Sequence, residues 1–362
     1  MAETSPLTTL DAFEEEYRKG LGETLPPGKP KDANLDSIRR FGDGVGDYNP
    51  LFRNEDHAAA SRFGMITAPP PFIYAANLGI HAVINGTIDG RRLSSRHFPM
   101  NYAGGEIVFH RPIWRDDVIT GQEQVVDIAR KHSERIGPFC ICTGITTYHN
   151  QRKELVATKT TRMARYVNLG STGTMEYDRE AKEPAPVQSP DPLVWERERR
   201  GADTRYWDDV VEKESIPKLE KGTYTVTELF LFTHCVYGST RSRRASLEAE
   251  ESTDLGGGGR FDKEHARKRR NMPGQFDWGP QRVCWLSQIS TDWAGDDGII
   301  KKMDSQVRHP NIVGDTNTLY GDVARKYVED GEHLVDLDVW VENQAGLATA
   351  LSRVTVALPV RE

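Results

Sequence analysis

The chain has 362 residues and a formal net charge of −7, which leaves room for two domains of ordinary size and gives no electrostatic case for a nucleic-acid partner. Its apolar runs are too short to span a bilayer, and the opening stretch MAETSPLTTLDAFEEEYRKG lacks the apolar core of a secretory signal. The four cysteines, Cys140, Cys142, Cys235 and Cys284, have no zinc-type spacing and read as reduced core thiols of a cytoplasmic protein, with no metal or cofactor implied.

In chain order, Leu10–Leu21 has helical spacing and ends at the Pro-rich break LPPGKPKD. Asn34–Gly42 and Asp56–Arg62 read as short helices on either side of the acidic segment GDYNPLF. Phe72–Ile84 carries apolar residues at helical spacing and predicts a buried central helix, with His81 a core histidine within it. Four strands follow, Gly105–His110, Val118–Ala129, Phe139–Tyr148 and Leu155–Tyr166, and the polar HNQRKE between the last two marks a hairpin.

From about Val167 to Arg205, Gly, Pro, Ser and charged residues dominate, the composition of an exposed linker. The strand pattern then returns. RHPNIVGDTNTLYGDV parallels HRPIWRDDVITGQEQV, and VWVENQAGLATALSRVTVALP parallels TTYHNQRKELVATKTTRMARY. Both copies share an Asn-Gln tip, Asn150–Gln151 and Asn343–Gln344. Val335, Leu337, Val339 and Val341 alternate with polar residues as a half-buried strand should, and CWLSQISTDWAGDDG reads as a second central helix ending in a polar loop. The chain is an internal duplication whose period is too long for a solenoid.

The segment from Gly46 to Phe72, GDYNPLFRNEDHAAASRFGMITAPPPF, resembles the active-site segment of the MaoC-like, (R)-specific enoyl-CoA hydratases, whose motif is D-x-N-P-x-H followed by a small-residue helix and an R-F-G turn. Asp47, Asn49, Pro50, Ala58, Arg62, Phe63 and Gly64 match it, and FHRPIWRDD and YHNQRKELVATKTTRMARY resemble the family's sheet region. The resemblance implies an α+β double hotdog: one unit over 1–166, a linker over 167–205, and a second unit over 206–362 with a basic Gly-rich insertion. Each unit is a curved antiparallel sheet wrapped around a helix. A monomer or a homodimer of such pseudo-dimers both suit this form.

Function follows from the same resemblance. Hydration of a 2-enoyl thioester needs an acid/base pair for water and for the C2 proton, and donors for the thioester oxygen. Asp47 stands at the family's aspartate, Asn49 at the residue that braces the loop, and Gly279 at the oxyanion glycine of the second half, preceded by Trp278. Phe52 replaces the family histidine, and Pro70, which has no N–H, falls on the oxyanion glycine of the first half. Phe52, Tyr74, His97 and Trp278 are the candidate substrate-binding residues, with His97, and after it His234, as replacements for the missing acid/base. In the second half Ser239 falls near the aspartate position and Arg260 near the histidine position.

The structural readings stand beside these. A D-x-N-P turn also forms as a helix-capping turn with no chemistry, and His57 and His265 read as packing residues. The basic insertion Arg241–Arg270 reads as solvated loop or as a contact for CoA phosphates, and its GGGG is not a nucleotide loop. The leading expectation is a dehydratase or hydratase acting on an acyl-CoA or acyl-carrier-protein thioester. Its alternatives are a non-catalytic thioester-binding double hotdog, or partner subunit, and a thioesterase.

Overall fold

The computed structural model describes residues 9–77, 87–88, 91–92, 100–134, 137–167, 199–238, 260–263, 266 and 272–361. The strands are β1 (Lys31–Asp32), β2 (Thr87–Ile88), β3 (Arg91–Arg92), β4 (Met100–Phe109), β5 (Val118–Ser133), β6 (Gly137–His149), β7 (Leu155–Tyr166), β8 (Leu219–Thr223), β9 (Ile299–Val307), β10 (Thr316–Glu329), β11 (Glu332–Asn343) and β12 (Ala348–Ala357). The helices are α1 (Leu10–Lys19), α2 (Leu35–Val45), α3 (Glu55–Ala60), α4 (Ile73–Ala76), α5 (Val226–Val236) and α6 (Gly279–Ala294).

Apart from the short β2–β3 pair, the strands form one ten-stranded antiparallel sheet in the order β1-β5-β6-β7-β4-β9-β12-β11-β10-β8. The order reads the same from both edges once the two halves are matched, β1 with β8, β5 with β10, β6 with β11, β7 with β12 and β4 with β9. The halves meet at the β4–β9 ladder, where Glu106 pairs with Asp304 and Gly105 with Ser305. Two positions of β4 admit no side chain: a Cβ on Gly104, whose φ is +107°, would lie 2.1 Å from the Ser305 carbonyl oxygen, and one on Gly105 would lie 1.9 Å from that of Thr160 on β7.

The duplication extends to single hydrogen bonds. Asn150 Oδ1 accepts from the N–H groups of Arg152 and Glu154, and Asn343 Oδ1 accepts from those of Ala345 and Leu347. Gln151 Oε1 accepts from Val118 N–H, and Gln344 Oε1 from Thr316 N–H, so each tip pins the start of the preceding long strand. The helices α2 and α5 occupy matching positions and pack on each other, each entered through a side-chain cap, Asn34 on Ser37 N–H and Thr225 on Glu228 N–H.

The symmetry breaks at the central helices. In the second half α6 runs sixteen residues and is buried along nearly its whole length. In the first half the helix expected over Phe72–Ile84 stops at Ala76; Asn77 is extended, with φ −161° and ψ 124°, and its carbonyl accepts from Tyr148 O–H at 2.7 Å. Residues 78–84, with His81, lie outside the described residues. The floor beneath accounts for the short helix. Glu123, Thr146 and Lys159 stand side by side across β5, β6 and β7, all buried, so this part of the sheet offers polar groups where a long apolar helix needs an apolar surface.

Further along the same sheet, α1 lays Leu10, Phe13 and Tyr17 on Val125, Ile128, Cys140, Cys142 and Met163 as a separate core. All four cysteines are free thiols. Among the described residues no helix is long and apolar enough to cross a membrane.

Lys159 Nζ lies 4.5 Å from the centre of the Tyr74 ring, and burial brings its pKa down to about 7. The unfolded chain therefore holds a proton that the folded one has lost between about pH 7 and the ordinary lysine value near 10.5, so this residue's contribution to stability rises with pH across that window. Lys159→Met is expected to flatten the rise in urea-unfolding free energy between about pH 6.5 and about pH 8.5. An unchanged slope would mean that Lys159 is not the titrating group.

Candidate functional site

The D-x-N-P segment leaves α2 through Gly46. Asp47 is buried, its Oδ1 accepts from Asn49 N–H at 3.1 Å, and Asn49 Oδ1 accepts from Leu51 N–H at 3.0 Å. The two side chains thus build consecutive turns that start the short helix Pro50–Phe52. Among the described residues no imidazole and no second carboxylate hydrogen-bonds Asp47.

The loop is fastened to the middle of α6. Trp285 Nε1 donates to Val45 O at 3.0 Å and Gln288 Nε2 to Gly46 O at 3.1 Å, while Lys221 Nζ donates to both carbonyls. The Asp47 carboxylate acts on the buried Cys284 thiol, whose pKa is raised by burial first and by Asp47 in addition, against the opposing charges of Lys221 and Lys159. A first-half carboxylate therefore faces the second half's helix.

Gly279 is the first residue of that helix and Trp278 its cap. A Cβ on Gly279 would lie 3.0 Å from Tyr102 Cδ1 and 3.3 Å from Val307 Cγ1, so the backbone here is packed as closely as a glycine allows. The Gly279 N–H has no acceptor among the described residues. Around it opens a cavity of about 380 Å3, lined from the first half by Tyr102, Phe139 and Met163 and from the second by Arg260, Trp278, Gly279, Arg308 and His309. Arg260 lies flat over the Trp278 ring at 3.7 Å. Arg308 hydrogen-bonds only the neutral Gln306 among the described residues.

The corner is held by a buried ion pair. Arg282 donates to Asp277 through Nε at 2.6 Å and Nη2 at 3.2 Å, and its Nη1 donates to the carbonyls of Thr349 and His309. Asp277 Oδ1 also accepts from Asn311 N–H at 3.1 Å. Asp277 immediately precedes Trp278 and Gly279, so this pair sets the entry of α6.

The candidate residues do not converge in one place. Phe52 and Pro70 line a different cavity of about 150 Å3, together with Asn49, Ala68 and Thr291 near the C-terminal end of α6. Asp47 lines neither cavity, and Tyr74 lines neither but hydrogen-bonds Tyr102 through their hydroxyls at 2.8 Å. A single acyl pocket shaped by Phe52, Tyr74 and Trp278 is therefore not what forms, because Phe52 and Trp278 sit at opposite ends of the helix. His97, His265 and Ser239 lie outside the described residues. His57 is more than packing: its Nε2 is 2.6 Å from the buried Asp296 Oδ2 and ties α3 to the end of α6. His234 stacks on Phe230 with ring centres 4.1 Å apart, away from both cavities. Arg199, at the end of the interval read as linker, donates to Tyr48 O at 2.9 Å beside the Asp47 loop.

Residues 29–159 match the family model described as "FAS1-like, dehydratase domain region". Over 194 residues the chain is 27% identical to a Thermomonospora curvata protein named "Probable enoyl-CoA hydratase alpha subunit", an overlap of 51% of this chain and 60% of that one. A solved "MaoC-like dehydratase" superposes with a TM-score of 0.70 at 15% identity, covering 95% of this chain and all of the other. The chain has the fold of that MaoC-like dehydratase. A Mycobacterium tuberculosis protein described as having a double hotdog fold superposes with a TM-score of 0.59 at 13% identity, over 94% of this chain and 97% of that one.

In this double hotdog the residues that sequence reasoning missed are Tyr102, Arg308 and His309. Tyr102 lies within a strand and reads there as one more sheet residue. His309 and Arg308 sit in RHP, which invites comparison only with the matching HRP of the first half.

The entry of α6 gives a direct test. Asp277→Ala leaves Arg282 buried without its carboxylate and is expected to cost about 3–5 kcal/mol in urea unfolding. Adding Arg282→Met should recover part of that loss, because no buried charge then remains unpaired.

Proposed function

We propose that the protein carries out the reversible hydration of a 2-enoyl thioester, with the thioester carbonyl bound at Gly279. The observation that carries this reading is the cavity built from both halves, which reaches a helix-opening N–H that has no acceptor among the described residues. A carbonyl oxygen that gains negative charge in the transition state is the acceptor such a donor suits. Arg260 and Arg308 line the same cavity, and cations there suit the phosphates of a CoA substrate. The name of the Thermomonospora relative supports the CoA assignment.

Asp47 is the acid/base of this reading. Its carboxylate acts on Cys284, five positions along α6 from Gly279, about 7.5 Å of helix rise. Asn49 N–H holds one of its oxygens and leaves the other for water. The site is then a composite, with the carboxylate from one half and the carbonyl donor from the other, and each half's own version is incomplete.

A second reading is a thioester-binding subunit without turnover. The absence of a histidine beside Asp47 among the described residues favours it, and the relative's name designates one subunit. Loss of the enoyl-thioester absorbance band on mixing with crotonyl-CoA separates the two. The proposal expects turnover in the wild type and a loss of about 10²–10⁴-fold in Asp47→Asn. Saturable binding of crotonyl-CoA without turnover, unaffected by Asp47→Asn, would establish the second reading.

A further inference from the structure

Near Gly279 stand more hydrogen-bond donors than the described residues accept. Tyr74 and Tyr102 bring two phenolic protons and share one hydrogen bond, at 2.8 Å. One O–H of the pair is left over, and no group among the described residues accepts it. The Tyr237 hydroxyl is buried and has no partner among the described residues. Its ring packs edge-on against Trp278, the residue before Gly279, with centroids 5.1 Å apart. Tyr102 packs against Gly279 itself, whose N–H has no acceptor among the described residues.

A buried donor without an acceptor is destabilising. Tyr102 and Gly279 line the cavity and Tyr237 packs against Trp278, which lines it too, so an acceptor brought by a ligand would serve these donors. The chemistry of the surroundings says what kind of acceptor. Burial raises the pKa of Tyr74, Tyr102 and Tyr237 above the ordinary phenol value, so all three stay protonated and donate rather than accept a proton from the substrate. An oxygen bearing partial or developing negative charge fits such a group; an ammonium or an alkyl chain does not.

We propose that Tyr102, oriented by Tyr74, and Tyr237 act with the Gly279 N–H as the donors that polarise the substrate's thioester carbonyl. The proposal rests on the assignment of the carbonyl to Gly279 and adds the side chains that act there. Tyr74 is a positioning residue: by donating to the Tyr102 oxygen it frees the Tyr102 proton for the ligand. The sequence offered no tyrosine in this role, because the three come from the end of α5, the short α4 and the strand β4, and only the packing around Trp278 brings them together.

The test uses 4-dimethylaminocinnamoyl-CoA, a push–pull chromophore whose absorbance moves to the red when its carbonyl is polarised. The wild-type protein should bind it with a red shift. Tyr102→Phe and Tyr237→Phe should each lose much of that shift while the probe's dissociation constant changes less than about tenfold. Hydration by each variant should fall about 10²–10³-fold, the usual effect of removing one such donor. Tyr74→Phe should give a smaller loss of shift, and Asp47→Asn should keep the shift in full while losing turnover. Removing a hydroxyl keeps the ring packing, and an unchanged melting temperature establishes that each variant is folded. A normal red shift in both Tyr102→Phe and Tyr237→Phe overturns the assignment of these donors and leaves the Gly279 reading standing. A wild-type protein that does not bind the probe, or binds it with no shift, overturns the carbonyl site as a whole.

Discussion

A helix buried on all sides with polar side chains along it needs partners for them, and α6 finds most of these by gathering the rest of the molecule around itself, the Ser287 hydroxyl and Trp293 Nε1 being left without one among the described residues. Gln281 accepts from Tyr224 O–H, Arg282 takes Asp277 and two carbonyls, and Gln288 and Trp285 hold the loop that carries Asp47. Ser290 and Thr291 return their hydroxyls to carbonyls of the helix itself. Burial of polar groups without these bonds would cost far more than the apolar face of the helix returns. The same bonds that solve a folding problem therefore also fix where the first half's acidic loop sits relative to the second half's Gly279.

The two halves have diverged around a shared frame. The sheet keeps its mirrored strand order and the Asn-Gln tips keep their hydrogen bonds, since a ladder of backbone bonds tolerates change of side chain as long as the register holds. The helix layer has no such protection. In the first half the row Glu123, Thr146 and Lys159 replaces the apolar floor and α4 ends after one turn; in the second half an apolar floor supports sixteen residues. What results is an asymmetric molecule in which one long helix serves both halves, with a cavity at each of its ends.

That asymmetry explains why the motif residues separated. Phe52 and Pro70 kept their places in the first half's cavity, which now holds neither a histidine of the motif nor a free N–H at the expected glycine. The larger cavity lies at the other end of α6, where Gly279 survives and tyrosines and arginines surround it.

The strands, their hairpin and the duplication were legible in the sequence because alternation and turn residues act over a few positions, as Val335–Val341 and the two Asn-Gln tips show. The buried thiols and the capped turn at Asp47 and Asn49 were legible for the same local reason. The length of the first central helix was not: the apolar spacing of Phe72–Ile84 says nothing about Lys159 and Glu123, which lie far away in sequence and form the floor beneath it. Nor was the grouping around Gly279: Tyr102, Tyr237 and the Asp277–Arg282 corner carry no motif, and Tyr74 reads from the sequence only as a pocket residue. Local pattern determined which segments become strand, helix or turn; which side chains meet at Gly279 was decided only by tertiary packing, because a buried donor or charge has no preferred partner until the fold brings one within about 3 Å.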